Sequence, residues 1–162
     1  MRIDADIEAL GALCLSRGIQ CAVAESCTGG LLGAHITRLP GASRWFAGGI
    51  VAYDNRVKIQ LLDLDPELLL THGAVSEQAA LRMVQGVCKR LHVHAAISIT
   101  GIAGPDGGSP EKPVGFTWIG CALHGVAHAS SFQFYGSREQ VREAACAEAL
   151  RCLLAQFSSP DG

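Results

Sequence analysis

Apolar residues recur at Ile3, Ile7, Leu10, Leu13 and Cys14. That three-to-four spacing predicts an amphipathic helix over 3–17, with Gly18 as its stop. The apolar run 19–24 is too short for a helix and reads as a buried strand. A second helix is predicted over 30–38, ending ahead of Pro40. Residues 49–53 are rich in β-branched and aromatic side chains and read as a strand. Residues 55–62 read as a short helix with Asn55 as a candidate N-cap. Ser76 opens a helix over 76–91, although its capping box is incomplete. A further apolar strand is predicted over 94–100, then a Gly/Pro loop over 101–113. Two strands, 114–123 and 126–134, form a hairpin around His124-Gly125. A long amphipathic helix over 137–157 closes the pattern, and 158–162 should fray. Helices and strands alternate and a hairpin follows, which predicts an α/β fold: a mixed sheet with helices on both faces.

Composition narrows the classes. The chain has 162 residues, the size of one domain, so 1–162 is taken as a single unit. Apolar residues make up 49% and charged residues 17%, which excludes a disordered chain. Thirteen basic and 15 acidic residues leave a net charge of −2, without the basic footprint of a general nucleic-acid binder. Residues 113–137 carry no formal charge and are long enough to span a bilayer. They also hold His124, His128, Gly115, Gly120, Gly125, Ser130, Ser131 and Gln133, so the hairpin is the better reading and no membrane partner is expected. Seven cysteines show no CxxC spacing, and most sit in apolar runs as small hydrophobes. Their odd number and an acidic start without a signal peptide fit a reducing cytoplasm.

Three segments carry candidate chemistry, each where a strand should end. The first is Ala24-Glu25-Ser26-Cys27-Thr28-Gly29-Gly30. Ser26 or Thr28 there is a nucleophile, a phosphate contact or simply a helix cap, and N–H groups at a helix start can hold an anion. The second runs from Gly48 to Lys58 and contains Tyr53. Lys58 is either a solvated surface charge or a general base whose proton affinity burial or a nearby cation has lowered. The third runs from Thr100 to Gly115, with Gly101, Gly104, Asp106 and Gly107 near its start. It is either a wide turn or a loop whose backbone closely approaches a ligand. It matches neither the P-loop nor the dinucleotide fingerprint. The six histidines form no recognisable metal set, so neither metal nor cofactor is expected.

Together these segments resemble the CinA C-terminal domain family. The likeness rests on AESCTGG, the GG-x-V-x-Y-x-N-x-x-K stretch, HGAVSE at 72–77, and TGIAGPDGG followed by EKPVG, and it covers roughly 7–157. The family includes stand-alone nicotinamide-nucleotide amidases, and the resemblance implies that stand-alone form. It also implies a three-layer α/β/α domain with a mixed, mostly parallel sheet. The implied activity is metal-free hydrolysis of the carboxamide of nicotinamide mononucleotide by a serine–lysine mechanism. On that resemblance Ser26, Lys58 and Tyr53 are catalytic. Thr28, Gly29, Gly30, Thr100, Gly101, Gly104, Asp106 and Gly107 supply oxyanion or substrate contacts. The phosphate falls on a Gly-rich turn or a helix start, with no choice between them. A small nucleotide and a second copy of the chain, as a dimer, are the implied partners. The departures, Ala42 and the Phe116-Thr117-Trp118 stretch, lie outside the catalytic set. Three other readings stay open: a cysteine amidase using Cys27, a silent nucleotide-binding module, and a purely structural domain.

Overall fold

A computed structural model describes residues 2–159, the side chain of Arg2 excepted. Helix α1 (Arg2–Arg17) turns Ile3, Ile7, Leu10 and Cys14 inward. Strand β1 (Cys21–Glu25) is buried along its whole length, as a central strand covered on both faces must be. Helix α2 (Leu31–Arg38) follows, then a single 3-10 turn at Ala42–Arg44 and strand β2 (Phe46–Val51).

β2 starts three residues earlier than the sequence pattern suggests. Gly48 and Gly49 make it an unpromising strand locally, yet they are what lets it form. A Cβ on Gly49 would lie 2.5 Å from Val23 of β1, and the register slips between Cys21 and Ala22. Only a residue without a side chain allows that approach.

Helices α3 (Asn55–Leu62), α4 (Pro66–His72) and α5 (Glu77–Leu91) come next. The cap of α3 is Asp54, not Asn55: extended at φ −82°, ψ 144°, Asp54 accepts from Arg56 N at 2.7 Å, and Asn55 is the first helical residue. Helix α4 was not predicted. Two turns give too little periodicity to read, although Asp65 caps Glu67 N and Pro66 sits in the first turn. Strands β3 (Ala95–Gly101), β4 (Phe116–Leu123) and β5 (Val126–Gln133) lead into α6 (Arg138–Phe157). The β4–β5 turn has positive φ at both His124 and Gly125, the two-residue form whose twist suits a hairpin. Of the tail expected over 158–162, residues 160–162 lie outside those described; Ser158 and Ser159 still close turns on Ala155 and Gln156.

The sheet order is β2-β1-β3-β4-β5. β1 pairs in parallel with β2 and β3, and β4 runs antiparallel to β3 and β5. Four of the five strands therefore point the same way, and only β4 opposes them. One face packs Val23, Ile97, Ile99 and Ile119 against α1, α2 and α6. The other presents Ala22, Ala24, Ala96 and Ala122 to α3, α4 and α5. Those small side chains bring α5 close enough for Ser98 Oγ to donate to Ala80 O at 2.7 Å. This is the mixed three-layer α/β/α architecture expected. Among the described residues no helix is long and apolar enough to cross a membrane.

Candidate active site

Because four strands share a direction, the chain leaves the same edge of the sheet after β1, β2, β3 and β5. Ligands in open α/β sheets bind at that edge. Here a cavity of about 290 Å³ receives Ser26 and Cys27 from the first exit and Tyr53, Asn55 and Lys58 from the second. The third supplies Thr100, Gly101, Gly104, Asp106 and Gly107, and the fourth Arg138. The three candidate segments and the start of α6, far apart in sequence, thus meet in one place.

Lys58 is 1% exposed, the most unusual burial in the chain. Its ammonium has one hydrogen bond, Nζ to the Tyr53 carbonyl at 3.3 Å. Burial lowers its pKa from the ordinary 10.5, and the nearby Cys27 thiol and Asp54 carboxylate only partly oppose that. A lysine so placed gives up its proton more readily than one in water, as a general base must. Ser26 follows the last residue of β1, and its backbone N–H is held by Ile99 O at 2.9 Å. Its hydroxyl makes no hydrogen bond among the described residues. Tyr53 is 59% exposed at the rim, its hydroxyl accepting from Arg138 Nη2 at 2.8 Å. Cys27 is buried, and burial pushes its thiol up to about 11. It is a protonated thiol at neutral pH, and no histidine lines the cavity to activate it.

The cavity does not gather Thr28, Gly29 or Gly30. They lie beneath it and build the entrance to α2. Gly29 N donates to Ser26 O at 3.0 Å. Glu25, 1% exposed, accepts from Gly30 N and Leu32 N at 3.1 Å through Oε2 and from Gly33 N at 2.8 Å through Oε1. The start of α2, read from sequence as a possible anion site, is therefore already filled by a carboxylate of the chain itself. The Thr28 hydroxyl is buried without a partner, and its carbonyl accepts from Arg142 at 2.7 Å.

The loop after β3 is different. Among the described residues, the N–H groups of Ala103, Gly104, Asp106 and Gly107 meet no acceptor. A Cβ on Gly104 would lie 2.4 Å from Val114, so glycine lets the loop fold over itself there. The Gly104 carbonyl accepts from Arg138 Nη1 at 2.6 Å. Thr100 Oγ1 donates to Ala74 O at 2.7 Å, which brings Ala74 and Val75 into the wall. Sequence reasoning missed Arg138, Asn55, Ala74 and Val75. Arg138 had only one signal, its place in the first turn of a helix entered from the site edge. Among the described residues, no three His, Cys, Asp or Glu side chains come together as a metal-binding set.

The profile of the CinA C-terminal domain matches residues 4–157. A CinA-like protein of Gemmatimonas aurantiaca is 45% identical over 149 residues, covering 92% of this chain and 35% of that protein. A CinA-like protein of Synechocystis is 48% identical over 153 residues, covering 93% and 37%. The chain thus spans about a third of the length of these curated relatives. Among solved structures, the competence/damage inducible protein CihA of Agrobacterium tumefaciens superposes with a TM-score of 0.92 at 35% identity, over 98% of this chain and 97% of that one. A CinA superfamily protein of Escherichia coli gives 0.91 at 29% identity, over 95% and 90%.

Proposed function

Because the chain belongs to the CinA C-terminal domain family, we propose that it hydrolyses the carboxamide of nicotinamide mononucleotide to nicotinic acid mononucleotide and ammonia. The observation that carries this reading is a fully buried lysine of lowered pKa in the same cavity as Ser26 and Tyr53. Neutral Lys58 takes the Ser26 proton, and Ser26 Oγ attacks the amide carbon. Within the cavity the oxyanion forms beside the Cys27 backbone N–H, which has no backbone acceptor among the described residues. Each well-aimed donor of this kind is worth about 2.7–4 kcal/mol. Protonated Lys58 then passes its proton to the leaving ammonia, and water clears the acyl-enzyme. The Tyr53 hydroxyl, oriented by Arg138, bounds the cavity on the solvent side.

The choice left open by sequence for the phosphate falls on the loop after β3. Its unused N–H groups and the Arg138 guanidinium supply donors and charge, whereas the α2 terminus is occupied. The test is ammonia release from nicotinamide mononucleotide by wild type, Ser26→Ala and Lys58→Ala, with EDTA present throughout. Wild-type turnover that falls by orders of magnitude in both folded variants supports the amidase. A wild type that binds the nucleotide without releasing ammonia overturns it. Turnover kept in Ser26→Ala but lost in Cys27→Ala moves the nucleophile to the thiol.

A further inference from the structure

Away from the catalytic edge, a second cavity of about 300 Å³ opens between α6 and the β4–β5 hairpin. Cys121, Cys152, His128, Ser130 and Gln156 line it. Cys121 in β4 points toward α6, and in the sheet register it stands opposite His128 of β5. Cys152 reaches the same space from α6. It lies fourteen residues beyond Arg138, roughly 21 Å along the helix at 1.5 Å per residue, so the cavity is remote from the proposed chemistry. The two thiols share this cavity and sense each other's charge, and Cys121 Sγ donates to the Ala149 carbonyl oxygen. They are unequal: Cys121 is 4% exposed, while Cys152 is only half-buried and meets the open cavity.

We propose that Cys121 and Cys152 form an oxidisable dithiol that a hydroperoxide closes into an intramolecular disulfide. Cys152 is the attacking sulfur and Cys121 the resolving one. The neighbouring Cys121 thiol lowers the pKa of Cys152, so the accessible thiol is the more readily ionised, while that of Cys121 is raised. The other thiols are poorer targets. Cys14, Cys21, Cys27 and Cys146 are buried. Cys88 is half-buried, but burial pushes its thiol up to about 11.

In the first step the Cys152 thiolate attacks an oxygen of the hydroperoxide. The O–O bond breaks, Cys152 becomes a sulfenic acid, and the alkoxide takes up the proton that Cys152 lost and leaves as an alcohol. In the second, the Cys121 sulfur attacks the sulfenic sulfur. The S–O bond breaks and hydroxide leaves with the Cys121 proton as water. Two electrons pass from the thiols to the peroxide.

The test treats the intact chain with stoichiometric hydrogen peroxide, blocks free thiols and maps peptides by mass spectrometry. The expected product joins the Cys121 peptide to the Cys152 peptide, lighter by two hydrogens. In Cys121→Ser the Cys152 sulfenic acid persists and is trapped by dimedone. Cys121→Ala serves the same purpose if a buried hydroxyl prevents folding. Cys88→Ser leaves the cross-link unchanged. Cys152 found as sulfinic acid with Cys121 free, or linked only to another chain, overturns the proposal. This readout does not depend on amidase activity.

Discussion

At the residue scale, Lys58 joins stability and chemistry. Its pKa in the folded chain lies below the 10.5 of the unfolded chain, and burial is the main cause. Between those two values the unfolded chain binds more protons, so stability rises with pH. Lys58's contribution is therefore fully present above 10.5 and is lost as pH falls through its folded pKa. Lys58→Met, which does not titrate, should be more stable than wild type at neutral pH by about 0.5–2 kcal/mol. That gap should narrow as the pH approaches 10.5. Urea unfolding of both proteins across that range measures it, and a variant less stable than wild type at pH 7 contradicts the argument. In the proposed mechanism the same proton governs rate. kcat/KM for amide hydrolysis should rise with pH along a limb centred below 10.5, because only neutral Lys58 accepts the Ser26 proton. Sequence spacing placed Lys58 one turn into a short helix, where a solvated charge was the ordinary expectation. Its burial depends on α3 lying against α5, which spacing does not reveal.

At the element scale, two contacts decide how strands and helices deliver the site. Glu25 ends β1 and holds three N–H groups at the start of α2. It fixes the angle at which the Ser26 turn leaves the sheet. Charge-assisted bonds of this kind contribute about 1.5–3 kcal/mol each in favourable cases, though not additively. Glu25→Ala should cost about 3 kcal/mol in urea unfolding and lower turnover by misplacing Ser26. Glu25→Gln, which keeps an acceptor on one side, should lose less on both counts. Gly86 in α5 is the second contact. A Cβ there would lie 2.2 Å from the Leu62 carbonyl at the end of α3. Gly86→Ala should therefore push α3 away and cost about 1–3 kcal/mol by overpacking, with Lys58 displaced as well. A melting temperature equal to wild type would mean that the close approach is dispensable. Most elements were legible because their apolar periods are long. α4 and the first half of β2 were not. One is too short to show a period, and the other owes its glycines to a neighbour on the next strand rather than to its own propensity.

At the scale of the whole molecule, the site exists because four strands run in one direction and four connections meet at one edge. The motifs marked three of those connections by their glycines and hydroxyls. The fourth, from β5 to α6, carries no such motif, and its contribution became visible only once the sheet order was known. Arg138 stands at that point. Its guanidinium reaches the Tyr53 hydroxyl at 2.8 Å and the Gly104 carbonyl at 2.6 Å, and so ties the exits of β2 and β3 to the start of α6. A planar fork can make both bonds at once, but an ammonium on a flexible stem cannot hold the same pair of directions. Arg138→Lys should therefore keep the positive charge and lose the bridge, and Arg138→Ala should lose both. If the cation holds the substrate phosphate, Arg138→Ala should raise KM for nicotinamide mononucleotide about tenfold or more, a loss of ~1.4 kcal/mol, with Arg138→Lys in between. The matching nucleoside, which lacks the phosphate, separates charge from architecture. Its kcat/KM should change little in Arg138→Ala if the arginine acts on the phosphate, and should fall in parallel if the arginine acts only by holding Tyr53 and the loop in place.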